Sequence, residues 1–232
     1  MDSAPDSAVD SEPSRFLAIH ALLTERYGEP PPRPLQDPLS ELIQTVLSQN
    51  TADVNSDRAY ASLWQRYGGD WDAVRTAPVS EVADTIRSGG LADIKAARIQ
   101  GILNAIVERL GELDLTFLRT VTLEEGRSFL RSLDGVGPKT AACVLLFSCA
   151  QPAMPVDTHV HRVSQRLGLV PGKANAERAH ELLEGMVPAE QMYAVHMQLI
   201  RHGRETCKAQ RPRCAECPVV HLCGYATGGP GR

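Results

Sequence analysis

The chain is organised around Leu133-Asp134-Gly135-Val136-Gly137-Pro138-Lys139-Thr140-Ala141. Gly135 and Gly137 stand one residue apart, which is typical of a tight turn that few side chains tolerate. Pro138 has a fixed φ and no N–H, so it suits the first turn of a helix. The apolar run over residues 141–147 continues that helix. The stretch therefore predicts a hairpin turn followed at once by a helix.

The N-terminus of this predicted helix is a candidate anion site. Backbone N–H groups from Val136 to Thr140 lack helical acceptors there, and the positive end of a helix favours a phosphate. Lys139 lies in the same turn and is a candidate nucleophile. From these nine residues alone, an ordinary helix start with a solvated lysine explains the pattern equally well.

The composition favours an all-α fold. Of 232 residues, 43% are hydrophobic and 22% charged, as in ordinary globular proteins, while only 5% are aromatic. Ala and Leu abound and alternating β-branched residues are scarce. No apolar run approaches ~18 residues, and Met1 is followed by an acidic, Ser-rich segment, which predicts neither a membrane span nor a secretory signal. We expect a cytoplasmic, nucleoid-associated protein without a membrane partner.

The net charge of −4 does not exclude nucleic acid as a partner. Four acidic residues precede the first basic residue, Arg15; they are Asp2, Asp6, Asp10 and Glu12. Removing these four of 28 leaves 24 acidic residues against 24 basic ones. Local clusters of charge must therefore decide which partner the chain has.

The N-terminal third is predicted to contain a tail, a connector and helices. Residues 1–14 show no apolar periodicity and predict a disordered tail. The next helix ends at Gly28, and the Pro-rich connector over residues 29–34 is predicted to cross between two subdomains. Asp53 is a candidate cap for a later helix, whose predicted buried face includes Trp64.

Two loops carry candidate contacts. A helix around residues 39–47 ends at Gln49 and Asn50, whose amides can hydrogen-bond base edges, although a plain loop is the simpler interpretation. Leu91 follows a glycine turn and is either an anchor of its loop or an exposed wedge. It precedes a predicted helix over residues 92–110, whose expected core side is Ile94, Ala97, Ile102, Ile106 and Leu110.

The segment Met154-Pro155-Val156-Asp157-Thr158-His159 precedes another predicted helix. Asp157 or Thr158 is expected to cap it, with apolar residues following at helical spacing. Capping is the simple role for Asp157, whatever chemistry it also performs. His159 on its own is most simply a polar surface residue.

Six cysteines fall into two groups. Cys143 and Cys149 lie in the apolar helix after the hairpin and are expected to be buried. The other four follow the spacing Cys-x6-Cys-x2-Cys-x5-Cys and are Cys207, Cys214, Cys217 and Cys223. Disulfides, a zinc ion and a 4Fe-4S cluster all remain open for them. The cluster is favoured, since zinc ribbons usually show two Cys-x2-Cys pairs and a cluster needs wider spacing.

The same segment is locally basic. Five cations lie between residues 201 and 213 against Glu205 alone; they are Arg201, Arg204, Lys208, Arg211 and Arg213. Such a loop suits contacts with a phosphate backbone, and a solvated charged face is the alternative.

Taken together and in order, the hairpin stretch, the Val156–His159 run and the four-cysteine loop resemble the endonuclease III family of DNA glycosylases, within the helix-hairpin-helix superfamily. Eighteen positions separate Lys139 from Asp157. The resemblance covers residues 15 to 225. It implies an all-α fold of two helical lobes with a DNA-binding cleft. One lobe would be residues 31–150, a helical barrel, and the other 15–30 plus 151–232, the cluster domain.

The resemblance also implies an activity. Oxidised pyrimidines would be removed from duplex DNA by base flipping, followed by cleavage 3′ to the abasic site. Lys139 would attack C1′ and form a Schiff base, and Asp157 would stabilise the developing sugar cation or assist proton transfer. The partner would be double-stranded DNA with damaged bases or abasic sites, and the protein would act as a monomer.

The resemblance assigns DNA contacts to several further residues. The hairpin would hold a phosphate, Leu91 would wedge the opposite strand, and an amide would fill the gap left by the flipped base. The family commonly places Gln where this chain has Asn50, so Gln49 and Asn50 both remain candidates for the gap. The full set is Gln49, Asn50, Leu91, Gly135, Val136, Gly137, Thr140, His159, Arg204, Lys208 and Arg211.

Three other functions compete with this interpretation. Adenine glycosylases and thymine-mismatch glycosylases are similar, but Lys139 argues against both of these monofunctional classes. A DNA-binding protein without catalysis is a third alternative, and the joint presence of Lys139 and Asp157 argues against it.

Overall fold

The computed structural model describes residues 12–228, with side chains from Arg15 onward. Most of the predicted tail, residues 1–11, therefore lies outside the described residues. The last part of that predicted tail is helical, because the first helix begins at Glu12.

Every regular element among residues 12–228 is helical, which confirms the all-α prediction. Short 3-10 turns join several of the α-helices. The α-helices are α1 Glu12–Tyr27, α2 Pro38–Ser48, α3 Asp53–Tyr67, α4 Trp71–Thr76, α5 Val79–Thr85, α6 Ala92–Leu110, α7 Leu123–Arg131, α8 Pro138–Cys149, α9 Thr158–Leu167, α10 Ala176–Met186, α11 Met192–Glu205 and α12 Gly224–Thr227.

The helices form two compact units. One is Pro34–Ala153, which holds α2 to α8. The other combines the described parts of Met1–Arg33 and Met154–Arg232, which hold α1 and α9 to α12. The boundaries expected from the sequence, at residues 31 and 150, lie three positions before those observed. No described helix is both long enough and apolar enough to cross a membrane.

In the Pro34–Ala153 unit, α2 packs against α8. Asp37 caps the start of helix α2: it accepts a hydrogen bond from the Ser40 N–H at 2.8 Å, and Pro38 is the first helical residue. Helix α8 is buried on nearly every side over 140–146, as expected for a helix that is apolar all round. Each fully buried Leu, Ile or Val there contributes about 1.5–3 kcal/mol.

The expected core face of α6 is partly wrong. Ile102 and Ile106 are buried, but Ile94 is 56% exposed and Leu110 36% exposed. The buried stripe runs instead through Ala92, Lys95, Ala96, Ile99, Ile102, Leu103 and Ile106. Small alanines and a lysine share this face with the buried isoleucines and leucine, so the size of the apolar side chains alone does not mark the core face. Trp64, expected to be buried, is 48% exposed.

The second unit is built around α9 and α11, with α1 packed on α11 and α12 on α9. Its apolar core includes Phe16, Ile19 and Leu23 from α1 and Val160, Val163 and Leu167 from α9. The buried Gln198 of α11 donates to Thr24 Oγ1 at 3.0 Å and to the Gly28 carbonyl at 3.2 Å. The end of α1 is thereby attached to α11.

Candidate active site and metal centre

The hairpin before α8 requires glycine at one position. Gly135 has φ +76°, a left-handed conformation that side chains disfavour. A Cβ there would lie 2.3 Å from Nε of Arg98. The Val136 N–H donates to the Leu133 carbonyl at 3.1 Å and closes the turn. Val136 therefore does not offer a free N–H, contrary to the expectation from the sequence.

The start of α8 is left uncapped by any side chain. Gly137 is the N-cap residue and Pro138 the first helical residue, as predicted. The N–H groups of Gly137, Lys139 and Thr140 donate to no acceptor among the described residues. Lys139 itself is half-buried in this first turn. The local structure thus combines unused N–H donors with a primary amine.

The two candidate amides differ in what they contact. Gln49 donates from Nε2 to the Gly135 carbonyl and to Thr140 Oγ1, both at 3.2 Å. Its Oε1 accepts from Nη1 of Arg98 at 2.7 Å. Asn50 is exposed and has φ +53°. The Gln49 side chain is therefore engaged in holding the hairpin, whereas the side chain of Asn50 points outward at the tip of its loop.

Leu91 also stands at the tip of a loop in the Pro34–Ala153 unit. It is the N-cap residue of α6, with φ +51°, and its side chain is 54% exposed. A leucine that anchored the loop would be buried. The exposure favours the wedge interpretation of Leu91 over the anchor.

In the other unit, Asp157 caps α9, as expected. Its Oδ1 accepts from the His159 N–H at 2.8 Å and from the Val160 N–H at 2.7 Å. Its second oxygen, Oδ2, accepts no hydrogen bond from the described residues. One carboxylate can therefore cap the helix with one oxygen and present the other to a substrate. Asp53, by contrast, is not the cap of α3, since Ala52 occupies that position.

His159 is half-buried beside α11. Its Nδ1 lies 3.3 Å from Nη2 of Arg162, and a Cβ at Gly203 would come within 3.0 Å of the His159 Cβ. Packing therefore holds the ring against its own unit. Only its remaining edge could take part in the DNA contact expected of it.

The four C-terminal cysteines line one cavity. All four are free thiols, which argues against the disulfide alternative. Four thiolates on a single zinc ion lie within about 4 Å of one another. No three His, Cys, Asp or Glu side chains in the described part of the chain are close enough to hold one such ion. A 4Fe-4S cluster spreads its four ligands over several iron atoms and therefore needs wider separations than a single zinc ion.

The chemistry of the cavity also calls for positive charge. Burial, together with the smaller effect of the other three cysteines, raises the pKa of the Cys217 thiol to about 11. Thiolates there would need a bound metal cation to offset their charge. Nε2 of His202 lies 3.7 Å from Cys217 Sγ. Burial lowers the pKa of His202 to about 4, so its neutral ring can donate one N–H to a thiolate.

Two family profiles match the chain. Residues 43–189 match the HhH-GPD superfamily of base excision DNA repair proteins, and residues 207–223 match the iron-sulfur binding domain of endonuclease III. Endonuclease III of Thermotoga maritima is 34% identical over 189 residues, which cover 82% of this chain and 84% of that protein. The chain belongs to the endonuclease III family.

Other similar proteins agree with this membership. A DNA glycosylase of Arabidopsis thaliana is 37% identical over 78% of this chain, and endonuclease III of Bacillus subtilis is 41% identical over 56% of it. These matches span 65% and 55% of the two relatives. A solved structure of endonuclease III trapped in a covalent intermediate with DNA has a TM-score of 0.79 and 29% identity. The match covers 93% of this chain and 97% of the endonuclease III chain in that structure.

As a member of this family, the chain carries a 4Fe-4S cluster domain. The segment that matches this domain, residues 207–223, contains the four cysteines that line the cavity, and we propose them as its ligands: Cys207, Cys214, Cys217 and Cys223. A solved thymine-DNA glycosylase, with a TM-score of 0.75 and 22% identity, shares the fold.

Three arginines that sequence reasoning missed hold the cluster loop of this endonuclease III homologue. From α9, Arg162 donates to the Cys207 carbonyl at 3.2 Å, and Arg166 donates to the Lys208 carbonyl at 2.7 Å. From α1, Arg15 donates to the Leu222 carbonyl at 2.6 Å. Arg162 and Arg166 stand four residues apart on one helix face, a spacing that could have shown that they act together.

The basic residues between 201 and 213 differ in whether they form ion pairs. Arg201 and Arg213 pair with Glu205 and Glu216. The three predicted phosphate contacts are all exposed; they are Arg204, Lys208 and Arg211. Lys208 and Arg211 have no ion-pair partner among the described residues. This division supports those two residues, more than the paired cations, as contacts for an external anion.

Proposed function

We propose that this endonuclease III homologue is a bifunctional DNA glycosylase and AP lyase. It would remove oxidised pyrimidines from duplex DNA and cut the strand 3′ to the resulting abasic site. The observation that supports this most is Lys139 in the first turn of α8, beside N–H groups with no acceptor. A relative with 29% identity was trapped as a covalent intermediate with DNA.

Lys139 would supply the nucleophile. Its amine nitrogen attacks C1′, and the glycosidic bond breaks as the base leaves with the bonding electron pair and takes a proton from solvent. The sugar ring then opens to a protonated imine, and one amine proton ends on O4′. Loss of the C2′ proton breaks the C3′–O bond and expels the 3′ phosphate. Water finally hydrolyses the imine and frees the lysine.

Asp157 would stabilise the cation that develops on the sugar. Its Oδ2 has no hydrogen-bond donor among the described residues, while Oδ1 caps α9. Two N–H bonds hold the carboxylate in one orientation, so little reorganisation accompanies the reaction.

The exposed loop tips would act on the duplex. Asn50, and not Gln49, is the better candidate to fill the gap left by the flipped base, because the Gln49 amide already bonds the hairpin. Leu91 would wedge the opposite strand. Flipping costs a few kcal/mol of stacking and pairing, which such insertions offset.

Borohydride trapping tests the proposal. With duplex DNA that carries an oxidised pyrimidine, the wild-type protein should form a covalent adduct and cut the strand. Lys139→Gln should form no adduct and make no cut, yet still bind the duplex through the α8 N–H groups. The exposed Lys173→Gln is the matched control and should behave as wild type.

Two results would contradict the proposal. An adduct with Lys139→Gln would move the nucleophile to another residue. Release of the base by wild type without any adduct or cut would point to a monofunctional glycosylase instead.

Salt dependence tests the phosphate contacts. Replacing Arg204, Lys208 and Arg211 by alanine should weaken binding to damaged and undamaged duplex alike. Each lost contact should flatten the slope of log K against log salt by roughly 0.9. The control replaces the paired Arg213 by alanine and should change the slope little. An unchanged slope in the triple variant would leave these residues as a solvated face.

A further inference from the structure

Two loops of the Pro34–Ala153 unit end in tips of the same kind. Asn50 and Leu91 are both exposed, and both hold a left-handed backbone without being glycine. Such conformations persist only where the surrounding structure determines them. Contacts from residues outside the two tips must therefore hold the loops in these conformations.

A single buried ammonium group joins the loops. Nζ of Lys95 donates to the Leu47 carbonyl at 2.6 Å, to Thr51 Oγ1 at 2.6 Å and to the Gly89 carbonyl at 2.9 Å. The first two acceptors flank Asn50, and the third lies two residues before Leu91. Since an ammonium has three N–H groups, this geometry uses all of them.

A direct bond between the loops completes the connection. The Thr51 hydroxyl donates to the Gly89 carbonyl at 2.6 Å, and the same hydroxyl oxygen accepts from Lys95. The two loops are therefore linked by the lysine and by the threonine, which also bond each other.

Burying the ammonium group of Lys95 is unfavourable for the stability of the fold. Its side chain is 2% exposed and no carboxylate among the described residues pairs with it. Burial, followed by the charge of Arg98, lowers its pKa. Methionine has a similar length and would pack in the apolar stripe of α6 without a buried charge. The stability of the core therefore does not explain why a lysine is present.

We propose that Lys95 is a positioning residue that joins the Asn50 and Leu91 loops, so that both tips enter duplex DNA together. This inference rests on the proposed function, because it assumes that the tips insert. Lys95 touches neither the base nor the sugar; it acts through the two loops that it joins.

The test measures insertion directly. The probe is a duplex with a tetrahydrofuran abasic analogue opposite 2-aminopurine, whose fluorescence rises when it is unstacked. Each protein is added to saturation, so the signal reports insertion and not affinity. Loss of hydrogen bonds from a charged donor predicts about a tenfold fall in the ratio of inserted to stacked complexes for Lys95→Met.

Gln100→Met is the matched control. Gln100 lies on the same helix, is buried, and donates to the carbonyls of Val74 and Ala77 at the end of α4, away from the Asn50 and Leu91 loops. Its replacement should lower the melting temperature to a similar extent and leave the fluorescence gain at the wild-type value. A role of Lys95 in stability alone would make the two variants behave alike.

A milder variant covers the case in which Lys95→Met does not fold. Thr51→Val keeps the shape of the side chain and removes the hydroxyl that links the loops. It should reduce the fluorescence gain in the same direction, by a smaller factor. Wild-type fluorescence with both Lys95→Met and Thr51→Val, or an equal loss with Gln100→Met, would overturn the inference.

The proposed function can fail separately. If wild type binds the probe duplex but leaves 2-aminopurine stacked, then the tips do not insert and the proposed use of Asn50 and Leu91 is wrong. That outcome overturns the inference as well. If wild type unstacks the probe and Lys95→Met does so equally, only the role of Lys95 is refuted.

Discussion

Helices α8 and α9 each begin next to a residue to which we assign chemistry, Lys139 and Asp157, yet their first N–H groups have different acceptors. At α8 the N-cap is Gly137, which has no side chain to accept a hydrogen bond. At α9 the N-cap is Asp157, whose Oδ1 accepts two. Both ends carry the positive end of a helix dipole.

The difference shows that the free N–H groups at the start of a helix can donate either to a capping side chain or to an external anion. The α8 end leaves N–H donors without an acceptor among the described residues, and we propose that a phosphate binds there. The α9 end uses its donors to fix a carboxylate, which places the second oxygen of Asp157. On this proposal, the α8 end binds an external anion and the α9 end orients the carboxylate of Asp157.

Loss of the cluster should produce the largest difference between helices α8 and α9. In Cys217→Ser we expect loss of the brown colour and of nearly all bound iron. The loop carbonyls that Arg162 and Arg166 bond would then shift, so amides of α9 should exchange hydrogen faster while those of α8 stay protected.

Iron analysis and hydrogen exchange check this outcome. Cys149→Ala, which removes a buried thiol from the other unit, should keep its iron. A fully iron-loaded Cys217→Ser protein would show that the ligand assignment is wrong.

Asp157→Asn tests whether the α9 end does more than cap. Asparagine caps a helix about as well as aspartate, so the fold should not change. Base removal should slow by ~10²-fold, as for other preorganised electrostatic contacts, and cleavage of a pre-formed abasic site should slow less. Single-turnover kinetics on both substrates measures the two steps.

The matched control is Asp70→Asn, which changes the aspartate cap of α4. It should remove bases at the wild-type rate. If Asp157→Asn does so too, then Asp157 is a cap only.

Gly137→Asp would convert the α8 end into one that resembles α9. The backbone φ is not positive and nothing lies within 4 Å of the added Cβ, so the site can accept the side chain. The carboxylate should cap α8 and repel a phosphate, which predicts a loss of about tenfold in affinity for duplex DNA.

Stability should rise by a few tenths of a kcal/mol in the same variant. Fluorescence anisotropy and urea unfolding measure the two effects. Gly172→Asp adds the same charge at an exposed turn and should change affinity much less. Unchanged affinity in Gly137→Asp would mean that no phosphate sits on this end.

The smallest expected effect is a difference in stability that distinguishes the two roles of Asp157, helix capping and charge stabilisation. Asp157→Ala should be less stable than Asp157→Asn by ~1 kcal/mol, because it loses the cap as well as the charge. Base removal should be equally slow in both. Urea unfolding compares them, and equal stability would show that the two N–H bonds to Oδ1 contribute nothing to folding.

The sequence by itself determined the features that depend on neighbouring residues. Glycine and proline at fixed spacing specify the hairpin and the start of α8, because their backbone preferences are local. Four cysteines in one short loop specify a metal centre for the same reason. Asp157 was recognisable as a cap from the helix that follows it.

Only the tertiary structure decided matters that depend on distant partners. Gln49 and Asn50 are adjacent amides, and only the fold brings Gly135, Thr140 and Arg98 to Gln49 and leaves Asn50 at the surface. Lys95 could have been noticed as a charge in the apolar stripe of α6. Its three acceptors, however, include carbonyls, which every residue carries. No residue pattern reveals which carbonyl the fold will place beside an ammonium group, and that is why the link between the loops was not predictable.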